Sequence, residues 1–102
     1  MTRSSGNVFA DLGLPDATEL QTKARLGVAI CRIVARKGLT QAQMAEMLGI
    51  SQPKVSALLN YKLEGYSVER LMRFLVALGQ DVEIVVRAKP RSRAGRVAVT
   101  AA

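Results

Sequence analysis

Two short helical patterns meet at Gly49-Ile50-Ser51, and no other feature of this chain restricts its fold as much. Thr40 and Gln43 stand at capping-box spacing, so a helix starts after Thr40 with a donor and an acceptor exchanged at its first turn. Met44, Ala45 and Leu48 are its inward residues. Gly49 stops it, because the left-handed backbone that ends a helix is easiest for a residue without a Cβ. Ile50 plugs the turn. Ser51 or Gln52 caps the next helix, and Pro53 falls in its first turn, where a missing N–H is harmless. That second helix runs to about Asn60. Helices this short are marginal in water and must bury one side against each other and a larger core.

The flanks supply that core. Pro15 cannot continue a preceding helix, Asp16 can cap, and Glu19 follows at capping-box distance, so a long helix starts near Asp16. It ends at Gly38, with Arg36 and Lys37 near its negative end. Val28, Ile30, Cys31, Ile33 and Val34 give it a wide apolar face, and Gly27 is the one position that threatens its continuity. Residues 61–66 read as a loop. Ser67 then caps a last helix, with Val68, Leu71, Met72, Leu75 and Leu78 at helical spacing and Gly79 as terminator. Asp81–Ala88, DVEIVVRA, changes character: it is short and β-branched, and reads as a strand. A lone apolar strand in a helical chain is a liability unless something pairs with it. Pairing through Val82, Ile84 and Val86 with a second copy across a two-fold axis is the simplest remedy. Beyond Pro90 the sequence RSRAGRVAVTAA reads as a disordered tail, with VAVTA a weak strand candidate.

The division is therefore an N-terminal arm at 1–15, a helical domain with dimer strand at 16–88 and a basic flexible tail at 89–102. The fold class is mainly all-α, a bundle of four to five helices whose C-terminal β-strand pairs in a dimer. Aromatics are only 4% of the chain, so its single core must be aliphatic. Small cores of this kind are often reinforced by dimerisation.

Composition also excludes functions. With one cysteine and no histidine, the chain has neither an internal disulfide nor a zinc-binding cluster, and it lacks the commonest general base. Cys31 reads as a small core residue. No catalytic pair or phosphate-cradling glycine loop stands out, so an enzyme is not expected, and neither is a cofactor, a metal or a small-molecule substrate. No apolar run reaches the roughly 18 residues of a membrane span, and the N-terminus has no signal-peptide core. A soluble cytoplasmic protein is expected.

The net charge is +7, and its location matters more than its size. Residues 1–37 contribute +3, residues 38–65 contribute 0, residues 66–86 contribute −1 and residues 87–102 contribute +5. A basic chain invites nucleic acid as partner. Most of the excess lies in the tail, away from the helix after Ser51.

That helix is divided by chemistry. At about 100° per residue, Gln52, Ser56, Asn60, Pro53 and Ala57 fall on one arc, and Leu58, Val55 and Leu59 on another, with Lys54 between. A helix entering a major groove needs an anchored inner face and a slim, hydrogen-bonding outer one. Small Ser56 and Ala57 permit close approach, and Gln52 suits an adenine edge. Lys54 and Asn60 lie where phosphate contact is expected, and Lys62 follows just beyond. Any amphipathic surface helix also shows a polar arc. What tips the balance is the turn, the small Ala45 at the helix crossing, and outward residues that are small and uncharged where Lys and Glu would be usual.

The pattern Gln41-x-x-Met44-Ala45-x-x-Leu48-Gly49-Ile50-Ser51-Gln52-x-x-Val55-Ser56-x-Leu58 resembles the helix-turn-helix of the Cro/lambda-repressor-like, or XRE, family. NVFADLGLPDATEL before the long helix and YSVERLMRFLVALGQDVEIVV after the motif resemble the subgroup of HigA-type antitoxins, extending the likeness over roughly residues 7–87. The resemblance implies a dimeric helical bundle that binds a palindromic operator in double-stranded DNA, usually its own promoter. It also implies a second surface that neutralises a RelE/HigB-like toxin. Carried over by position, base reading falls on Gln52, Pro53 and Ser56, with Ala57 beside them, and phosphate contact on Gln41 and Asn60. Pro53 departs from the family, where a polar residue is frequent. It cannot donate, so reading there would be apolar, against a thymine methyl.

Three functions remain open: an antitoxin that represses its own promoter, a free-standing repressor, and a protein-interaction module with the helix-turn-helix as scaffold only. Val8, Phe9 and Leu12 in the arm are candidate toxin contacts, or a staple onto the protein's own core or dimer interface.

Overall fold

The computed structural model describes residues 16–92 and 94–101. Helix α1 spans Asp16–Lys37, α2 Gln41–Leu48, α3 Gln52–Leu59 and α4 Val68–Ala77. α1 lies along α4 and α2 packs on α3, with α1 also touching α3 and α2 touching α4. The four helices enclose one mainly aliphatic core: Leu26, Ile30, Ile33 and Val34 from α1, Met44 from α2, Val55 and Leu58 from α3, and Leu71, Phe74, Leu75 and Leu78 from the last helix and its end.

The helix starts follow the sequence. The Thr40 side chain accepts from the Gln43 backbone N–H (3.1 Å) and the Gln43 side chain accepts from the Thr40 N–H (2.9 Å), completing the capping box. Ser51, rather than Gln52, caps α3, and Ser67 caps α4. Gln52 is then the first helical residue and Pro53 the second.

The helix ends share one device. After α1, the Gly38 N–H bonds to the Ala35 carbonyl and the Leu39 N–H to Val34 (3.1 Å), with Gly38 at φ 65°. After α4, Gly79 takes φ 85° with the matching bonds to Val76 and Leu75. Both are Schellman motifs, which satisfy carbonyls the helix would otherwise strand. Gly49, at φ 68°, closes α2. α1 is unbroken through Gly27, whose bareness has a packing reason. A Cβ there would meet Leu63 Cδ1 and Tyr61 Cδ1 at 3.3 Å each.

Residues 61–66 form the expected loop, and within it Leu63 and Tyr66 are buried in the core. Three other expectations change. Cys31 is only half-buried, its sulfur 4.0 Å from the Leu59 carbonyl oxygen. The expected C-terminal strand is not formed: among the described residues no strand occurs. A strand needs a ladder partner, and a single copy of the chain supplies none to residues 81–88. Val82 packs on the core, while Ile84 and Val86 stand exposed. The tail also departs from the expected form, since Val99 packs against the core. Val8, Phe9 and Leu12 lie outside the described residues.

Among the described residues no helix is long and apolar enough to cross a membrane, and no cluster of side chains suits a metal ion.

Candidate nucleic-acid interface

The inner arc of α3 is fully seated. Val55 and Leu58 are completely buried, and Leu59 packs beside them. The outer arc is left to solvent. Gln52, Pro53, Lys54 and Asn60 are exposed, and Ser56 and Ala57 are half-exposed. The four base-reading candidates thus share one open face. Their side chains rise little above the backbone at Ser56 and Ala57, which leaves room for a groove edge.

Gln41 is exposed on the first turn of α2, and Lys62 is exposed just after α3. Lys54 is held by its main chain. Its N–H donates to Ser51 Oγ at 3.4 Å and its carbonyl accepts from Tyr66 Oη at 3.2 Å, leaving the ammonium on the surface. Asn60 is exposed at the end of α3, where its side-chain amide donates to the Ser56 carbonyl at 2.8 Å.

The end of α3 carries a feature that no glycine advertises. The Tyr61 N–H bonds to the Leu58 carbonyl (3.1 Å) and the Lys62 N–H to Ala57 (2.9 Å), the Schellman pair again. Here the left-handed position is a tyrosine, at φ 59°. A bulky side chain there costs free energy that its surroundings must offset. The ring lies against Gly27 of α1. A side-chain hydrogen bond with Cys31, then the nearby thiol charge and slight burial, raise the phenol's pKa above its ordinary value, against the opposing pull of Arg32.

Tyr66 braces the other end. It is buried, stacks edge-on against Phe74 with centroids 5.5 Å apart, and lies under the Arg70 guanidinium at 5.5 Å. Its hydroxyl therefore reaches Lys54 from a fixed platform. Sequence reasoning missed both tyrosines. The available signal was that a chain with two tyrosines places both immediately after the outward-facing helix.

The surface so formed is slim and polar, with the exposed Lys54 and Lys62 at its margin. A helix-turn-helix domain family model matches residues 8–87. A solved structure named as an XRE family transcriptional regulator is similar, with 64% identity over 86% of this chain and 100% of that one, at a TM-score of 0.82. No curated protein matches significantly.

Proposed function

The chain belongs to the XRE family of helix-turn-helix proteins, and from that premise we propose that it is a sequence-specific DNA-binding transcriptional regulator acting in the cytoplasm. One observation carries the reading. α3 has its apolar arc wholly buried while Gln52, Pro53, Ser56 and Ala57 form an open face of small groups. Gln52 presents an amide that matches the paired acceptor and donor of adenine, and Pro53 offers an apolar edge to a thymine methyl. Gln41, Lys54 and Lys62 flank that face and contact phosphates, which fix register without reading sequence. The target is a palindrome, read by a homodimer whose half-sites repeat the subunit symmetry.

The regulator is the antitoxin of a toxin–antitoxin pair of the HigA type, repressing its own promoter and neutralising a RelE/HigB-like toxin. Support for this finer reading comes from the resemblance of NVFADLGLPDATEL and YSVERLMRFLVALGQDVEIVV to HigA-type antitoxins. A free-standing repressor would share the DNA face and lack the toxin.

The test is a mobility shift on the DNA upstream of its own gene, for the native chain and for the double variant Gln52→Glu, Ser56→Glu. Binding lost in the variant, with helix content unchanged by circular dichroism, supports α3 as reader. Undiminished binding removes it from that role. Co-purification with the product of the adjacent gene tests the toxin partnership, and a neighbour that does not co-purify leaves the free-standing repressor.

A further inference from the structure

We propose that residues 81–88 pair antiparallel with the same residues of a second copy, in the one register that sets Val85 opposite Val85. This rests on the dimeric regulator above and specifies how its two-fold axis is built.

The segment leaves the core abruptly. The Gln80 N–H bonds to the Leu75 carbonyl at 3.0 Å, and Val82 packs on the core. Ile84, Val85 and Val86 then stand 77%, 62% and 91% exposed. Three consecutive branched apolar residues left in water, on a backbone already free of helix, are a strand edge awaiting a ladder.

The occupant follows from the charges. In a two-fold antiparallel pair, the residue at the axis faces itself, and residues equally far on either side face each other. With Val85 at the axis, Glu83 faces Arg87 of the second copy, and Arg87 faces its Glu83. Ile84 faces Val86, and Val82 faces Ala88. Successive residues alternate between faces. One face therefore carries Val85 between two opposite-charge pairs, and the other is wholly apolar. Val82 ties the apolar face to each core. Every register slipped by one or two pairings sets Glu83 or Arg87 against an apolar residue. The segment is thus complementary to itself, and a second copy of this chain is the partner it fits.

The test uses the full chain without DNA, so that a failed DNA reading leaves its outcome untouched. Dimer dissociation is measured by sedimentation for the native chain, Glu83→Arg, Arg87→Glu and the double swap. Both positions of change are exposed, and circular dichroism checks the helices. Each single reversal turns two symmetric attractions into repulsions and is expected to raise the dimer dissociation constant about tenfold. The swap should return it to within about threefold of native, since opposite charges again meet. In a Cys31→Ala background, Val85→Cys should cross-link on oxidation far faster than Ile84→Cys. Single reversals without effect, a swap no better than its parents, or equal cross-linking at both positions would overturn the register. A native chain that stays monomeric at tens of micromolar would overturn the pairing altogether.

Discussion

Replacing Tyr61 with glycine removes a strained residue and its packing together, and the structure indicates which loss is larger. A non-glycine residue in left-handed backbone costs about 1–2 kcal/mol. Glycine relieves that but adds about 0.5–1 kcal/mol of unfolded-state entropy. Tyr61 is 49% exposed, so roughly half of the residue is covered, with its ring against Gly27 of α1. That half is about 100 Å², which at about 25 cal/mol per Å² contributes about 2.5 kcal/mol. The net expectation is a loss of about 1–2.5 kcal/mol, which lowers the melting temperature by roughly 4–20 °C for a domain of this size. Thermal melts followed by circular dichroism at one fixed protein concentration measure it. Gly27→Ala completes a cycle. In the native background its Cβ crowds both Tyr61 and Leu63. In the Tyr61→Gly background one of those contacts is gone, and alanine's helix preference, up to about 1 kcal/mol, should emerge. A Tyr61→Gly variant as stable as the native chain would show that the ring's cover is worth less than the strain. Additive effects in the double variant would refute the account of Gly27 as a seat for the ring.

Four further outcomes are expected. The Gln52→Glu, Ser56→Glu variant should lose operator binding at least a hundredfold by mobility shift while remaining folded, because two carboxylates enter a polyanionic groove. Neutralising Lys89, Arg91 and Arg96 to glutamine should weaken DNA binding and reduce the slope of log affinity against log salt by up to about 2.7; an unchanged slope would mean those charges only meet water. Tyr66→Phe should cost about 0.5–1.5 kcal/mol in urea titrations, since it deletes the bond to the Lys54 carbonyl and keeps the ring on Phe74. Because the folded-state pKa of Tyr61 is raised, the stability it contributes is complete below pH 10.0 and is lost as pH climbs through the folded value. Alkaline melts of Tyr61→Phe should lack that component.

Much of this architecture was legible because short helices must be punctuated. Gly38, Gly49 and Gly79 all adopt the left-handed backbone that their positions implied, and Thr40, Ser51 and Ser67 all cap. The division of α3 was equally readable, since helical periodicity alone separates Val55 and Leu58 from Gln52 and Ser56. Loop burial was not. Leu63 and Tyr66 follow no period, and only the packing of the assembled core decides that they are covered. The left-handed Tyr61 was illegible for a related reason: its conformation is imposed by the chain around it and runs against its own preference. Residues 81–88 carry a β-branched pattern, yet no strand forms there, because a single copy of the chain offers that segment no ladder partner. The bond from the Asn60 amide to the Ser56 carbonyl was likewise not readable from the helical period.

The bond from Tyr66 to Lys54 has a consequence for how α3 meets a ligand. A recognition element that must organise on contact loses conformational entropy in the encounter and is slowed by it. Here the first turn is pinned from a buried aromatic pair and the last by a closed carbonyl motif, so α3 arrives already shaped. Little ordering remains for the encounter to supply. Association should then be limited by diffusion and steering, with selectivity between sites expressed in how long each complex lasts.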